Sequence, residues 1–186
     1  MLEIGLGCNM DYGPGHSARV WREYMPNAEI WFGEYDAACV AKHRAHLDKL
    51  GVKAVTGDQA DIATLNRWVK ETGGGFDFIV DDGGHSNMQI YNSFIVLFEK
   101  ALNPGGIFVI EDLYVCRTPS FMDGDGKHIT LEVIKDWLDD LTTSHAGSNE
   151  VRGPPPRWPR PAGIKSIECG SHWCSITKCY ANDPYC

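Results

Sequence analysis

Two short runs concentrate side chains that can do chemistry, Asp81-Asp82-Gly83-Gly84-His85 and Glu111-Asp112. Each follows an apolar stretch, Phe76–Val80 and Ile107–Ile110, that reads as a buried strand. If the two strands are neighbours, their ends crowd carboxylates together, which is costly unless a hard cation such as Mg²⁺ neutralises them. His85, on a glycine hinge beside Asp82, reaches the same space, and an imidazole titrates near neutrality, as a general base should. The bland alternatives are a solvated strand end or helix cap for each acid and a turn residue for His85.

The other apolar runs also end in acids. Glu3 precedes Gly5 and Gly7, the second run ends at Glu34 and Asp36, and the third leads to Asp58 and Gln59. Ligands of open parallel sheets sit beyond the carboxyl ends of the strands, so these groups belong to one layer. Glu-Ile-Gly-Leu-Gly allows a nucleotide-bearing ligand close to the backbone, and Glu34 can accept hydrogen bonds from a ribose diol. Asn9 and Met10 stand where a dinucleotide fingerprint needs its third glycine. An adenosyl cofactor without a diphosphate fits better than NAD.

These residues need elements to hold them. Short apolar runs alternate with amphipathic stretches: a strand at Leu2–Leu6, a helix ending before Pro26, a run at 28–33, and a helix from an Asp36 cap to Gly51. A strand at Val52–Val55, a helix capped by Asp61, the strand at 76–80, a helix capped by Asn87 and the strand at 107–110 follow, with Asn103-Pro104-Gly105-Gly106 ending the last of these helices. Such alternation predicts βαβ units. Ile134, Trp137, Leu138 and Leu141 mark one more helix, residues 150–163 form a Pro-rich connector, and 164–179 read as a hairpin around Gly170-Ser171-His172. The fold class is therefore α/β: a Rossmann-like, doubly wound, mainly parallel seven-stranded sheet with helices on both faces and a C-terminal antiparallel hairpin. One domain over 1–186 is expected, with the cofactor and metal groups in 1–115.

The 186 residues carry 17 basic and 25 acidic side chains, a net charge of −8. Residues 1–150 stand at −11 and residues 151–186 at +3, so general nucleic-acid binding is disfavoured. No apolar run is long enough to span a bilayer, and the first residues show no leader, so a cytoplasmic chain acting on a small molecule is expected, with a homo-oligomer left open. Seven cysteines, an odd number spread through apparent strands and helices, read as reduced thiols. Zinc on Cys169, Cys174, Cys179 and His172 is disfavoured, because their spacing is wrong for a structural site. Asp123-Gly124-Asp125-Gly126 lacks the downstream Glu of a calcium loop and reads as an ordinary loop.

Taken together, the chain resembles a class I S-adenosylmethionine-dependent methyltransferase. Leu2-Glu3-Ile4-Gly5-Leu6-Gly7 resembles that family's first motif, Glu34 its ribose-binding acid and Asp58-Gln59 its adenine-side loop. Asp81-Asp82-Gly83-Gly84-His85 with Ile110-Glu111-Asp112-Leu113 is similar to the metal-dependent sugar O-methyltransferases of the macrocin and mycinamicin type. The resemblance implies S-adenosylmethionine held by Glu3, Gly5, Gly7, Glu34, Asp58, Gln59 and Asp81. It implies Mg²⁺ on Asp82, Glu111 and Asp112, with His85 as the base that deprotonates a hydroxyl. A sugar diol or a catechol would present the same pair of adjacent hydroxyls. A catalytically silent domain of this fold and an NAD-dependent oxidoreductase are the alternatives; the latter should lack the terminal hairpin. The family usually has a segment before its first strand, whereas here that strand begins at residue 2.

Overall fold

The computed structural model describes residues 1–123, 129–143, 158–184 and 186. Seven strands form one sheet in the order β3-β2-β1-β4-β5-β7-β6. They are β1 (Leu2–Ile4), β2 (Trp31–Glu34), β3 (Lys53–Thr56), β4 (Phe76–Asp81), β5 (Leu102–Ile110), β6 (Ile164–Cys169) and β7 (Cys174–Lys178). The first five are mutually parallel, β7 runs antiparallel to β5, and β6 antiparallel to β7. The expected doubly wound sheet and terminal hairpin are both present.

The helices are α1 (His16–Tyr24), α2 (Ala37–Lys42), α3 (Arg44–Leu50), α4 (Ile62–Thr72), α5 (Asn87–Lys100) and α6 (Thr130–Thr143). One core cluster joins the sheet to α4, α5 and α6 through Trp68, Phe94, Phe98, Phe108 and Trp137. A second joins it to α1, α2 and α3 through Ala18, Phe32, Val40 and Leu47. Helices on both faces follow from parallel strands, whose crossovers must cover each side.

Local chemistry accounts for most boundaries. Asp36 caps α2 by accepting from the Cys39 amide, and Asp61 caps α4 by accepting from Ala63 and Thr64. Three expectations need correction. The helix expected across 36–50 is two helices meeting at His43. The cap of α5 is Ser86, in a reciprocal capping box with Gln89; Asn87 is buried and accepts from the Thr130 amide and hydroxyl instead. Asn103–Gly106 belongs to β5, because Leu102 already pairs with Phe76 and the Asn103 amide donates to Gly75 and Asp77.

The cysteine reading is also corrected. Cys8 pairs with Cys39, Cys169 with Cys174 and Cys179 with Cys186, while Cys116 is free and buried. Cys169 and Cys174 are register partners in the hairpin, so the turn that separates them in sequence brings them together. The cysteine argument for a reducing compartment falls with this pairing. Among the described residues no helix is long and apolar enough to cross a membrane. Residues 150–157 of the Pro-rich connector and residues 124–126 of the Asp123–Gly126 loop lie outside the described residues.

Candidate active site

The carboxyl ends of β1, β2 and β4 open into a cavity of about 550 Å³, and Glu3, Gly5, Gly7, Glu34, Asp58, Gln59, Asp82, His85 and Asp112 all line it. Strand direction causes this convergence: β2, β1, β4 and β5 are parallel neighbours, so every residue just past a strand end arrives on one side. Asp81 and Glu111, also expected at the site, do not line the cavity.

Gly5 shapes the floor. It sits at φ +99°, and a Cβ there would overlap the Asp82 carbonyl oxygen, so only glycine lets the first turn lie against the loop that carries the acids. Glu34 faces the same turn: its carboxylate accepts from the Leu6 amide at 3.1 Å and from the Asp36 amide at 3.0 Å. These two bonds aim the side chain and leave lone pairs for a ligand diol. Glu3, 2% exposed, accepts from the Ser17 hydroxyl and the Trp21 indole. Burial pushes its carboxyl up to about 7 against those two hydrogen bonds, with the charges of Asp82 and Glu111 adding to the rise.

Oxygen or nitrogen atoms of Asp82, His85 and Asp112 all lie within 4.8 Å of one another. Burial and the neighbouring Asp112 push the Asp82 carboxyl up to about 6. Burial, then Asp82 and Asp112, also raise Glu111, with His85 opposing. Carboxyls that hold each other's protons in this way are the donor set a hard cation relieves. Asp112 reaches the group through a left-handed backbone, φ 53°, which turns the chain out of β5 after Ile110. His85 Nε2 stands 3.8 Å from Asp112 Oδ2, and its ring meets Phe121 edge-on.

Asp81 turns inward. Its carboxylate, 2% exposed, accepts from Gln59 Nε2, the Ser93 hydroxyl and the Gly83 amide, and burial lifts it to about 6 against these bonds. Sequence reasoning missed Ser17 and Trp21, which hold Glu3, and Tyr12 and His16, which line the cavity. Ser17 and Trp21 are four apart on α1, so a helical-face reading combined with the buried acid of β1 would have found them.

No protein-family model matches the chain. It is 34% identical over 123 residues to the mycinamicin VI 2''-O-methyltransferase of Micromonospora griseorubida, covering 65% of this chain and 29% of that protein. It is 31% identical over 160 residues to the demethylmacrocin O-methyltransferase of Streptomyces fradiae, covering 83% and 38%. Among solved structures, the MycE methyltransferase of the mycinamycin biosynthetic pathway, in complex with Mg and SAH, superposes with a TM-score of 0.76 at 28% identity over 98% of this chain and 45% of that one. The chain thus spans less than half the length of each of these proteins.

Proposed function

We propose that this chain, a homologue of sugar O-methyltransferases of the mycinamicin, macrocin and tetracenomycin type, transfers a methyl group from S-adenosylmethionine to a hydroxyl of a sugar or similar vicinal diol with the help of Mg²⁺. The observation that carries this is the single cavity shared by the glycine turn, the ribose-type acid Glu34 and the Asp82–His85–Asp112 cluster. The hairpin that reverses the sheet at β7 argues against the dehydrogenase alternative.

In this reading Gly5 and Gly7 leave room for the cofactor, Glu34 accepts from its ribose hydroxyls, and Glu3 and Asp58 complete the wall. Asp82 and Asp112 would hold the metal, and Glu111, whose ionisation burial and both aspartates oppose until a cation is present, would complete the set. The ion would supply Lewis-acid polarisation of an acceptor hydroxyl, lowering its pKa. His85 takes that hydroxyl's proton on a ring nitrogen, and the cavity walls align the acceptor oxygen with the methyl group.

The test combines calorimetry with labelled S-adenosylmethionine and a panel of glycosylated and catechol acceptors, with and without Mg²⁺. Glu34→Ala should weaken S-adenosylhomocysteine binding by about 1–3 kcal/mol, the cost of leaving a buried hydrogen-bonding group without its partner. His85→Ala should keep that binding and lose about 10²–10⁴ in transfer rate. Transfer that proceeds equally in EDTA would remove the metal, and a His85→Ala variant as fast as the parent would remove the base.

A further inference from the structure

We propose that Gln59 and Asp81 are positioning residues that set the His85 loop, coupling the turn after β3 to the proton-accepting side of the site; the inference rests on the reading of His85 as the base. Gln59 is 6% exposed. Its Nε2 donates to Asp81 Oδ1 at 2.9 Å and to Oδ2 at 3.2 Å, and its Oε1 accepts from the Gly84 amide at 2.6 Å. A carboxylate only accepts and a peptide N–H only donates, so the Gln59 amide has one workable orientation. Both ends of this side chain are thereby committed to the protein, although it lies in the cavity wall.

The rest of the loop is built around this contact. Asp81 also accepts from Ser93 of α5 and from the Gly83 amide at 3.4 Å, so strand, loop and helix meet on one carboxylate. A Cβ on Gly83 would overlap Gln59 Oε1, which is why the hinge residue facing the amide is glycine. His85 follows Gly84 directly; its ring meets Phe121 edge-on at 5.9 Å and its Nε2 stands 3.8 Å from Asp112 Oδ2. Neither is a hydrogen bond, so among the described residues no polar contact orients the ring and the backbone of 83–85 sets where the imidazole enters the site. A satisfied buried network is stiff, and a base displaced by about 1 Å can lose 10²-fold in rate.

The test uses isotope-labelled protein without ligand, plus calorimetry with S-adenosylhomocysteine. Gln59→Leu, Gln59→Glu and Asp81→Asn should each speed hydrogen exchange at the Gly84 amide by about tenfold or more and move the His85 ring resonances at fixed pH. Affinity for S-adenosylhomocysteine is read on the same variants. The double exchange Gln59→Glu with Asp81→Asn reverses the polarity of the contact: the strand amide donates to one oxygen of the loop carboxylate while its other oxygen still accepts from Gly84. Both signals should then return toward the parent. The proposal is overturned if Gln59→Leu loses affinity by about tenfold with the Gly84 and His85 signals unmoved, which would make Gln59 a cofactor ligand. It is equally overturned if the double variant melts with the parent yet leaves both signals displaced. Failure of the parent to bind S-adenosylhomocysteine strikes the cofactor reading instead, because the amide and ring signals need no ligand.

Discussion

Glu3 sits at the end of the first strand with its carboxyl out of water, and the Ser17 and Trp21 donors only partly offset that burial. Its folded-state pKa of about 7 lies above the ordinary value of 4.5, so between these pH values the folded chain holds a proton that the unfolded chain releases. Stability from this group is therefore intact below pH 4.5 and is lost as pH rises through about 7. The full cost above that window is of order 3 kcal/mol at 1.36 kcal/mol per unit. Glu3→Gln should melt above the parent at pH 8 and close to it at pH 4, with Asp81 and Asp82 leaving a residual slope of the same sign. Equal melting temperatures at pH 8 would show that Glu3 is ionised in the fold without penalty. The acid was legible in the sequence as a group before two glycines; its burial was not, because that depends on Trp21 arriving from a separate helix.

The helix that follows the acid cluster begins where the candidate base ends. Ser86 caps α5 through the Gln89 amide while the Gln89 side chain accepts from the Ser86 amide, which fixes the chain just after His85. Ser86→Ala should cost about 1 kcal/mol, as lost N-caps do. Urea titration should show a lower midpoint with an unchanged slope, and a changed slope would instead mean that the loop has come apart. The sequence signalled a helix here through the spacing of Ile90, Phe94, Leu97 and Phe98, but two adjacent cap formers, Ser86 and Asn87, compete locally. The choice is made at long range, by Thr130 claiming Asn87. The start of β5 was missed for a similar reason: Asn103-Pro104-Gly105-Gly106 has turn chemistry, yet pairing with β4 and the side-chain bonds of Asn103 draw it into the sheet. By contrast, parallel strands that end in acids were legible throughout, because alternation and strand direction together suffice to put those ends in one layer.

At the scale of the molecule, Glu3, Glu34, Asp36, Asp58, Asp82 and Asp112 line the cavity where the sheet opens, and no lysine or arginine stands among its described lining residues. Asp82 and Glu111 both hold their protons beyond the ordinary range, because burial and neighbouring carboxylates oppose a further negative charge. A divalent cation bound by the ionised cluster reverses that repulsion and binds only the folded chain, since the ligands come from β4 and β5 and are distant in the unfolded one. Linkage then gives a stabilisation of about 2.7 kcal/mol when Mg²⁺ is present at 100 times its dissociation constant. For a chain of this size that is a rise in melting temperature of roughly 5–10 °C. The rise should be largest near pH 8, where a carboxyl held at about 6 is ionised, and smaller near pH 5, where protons compete with the metal. Asp82→Asn should start more stable than the parent in EDTA, having shed one buried charge, and should respond much less to Mg²⁺. Calorimetric scans of both proteins in EDTA and in Mg²⁺ check this, and identical parent curves in the two buffers would leave the carboxylates as a strained acid cluster without an ion.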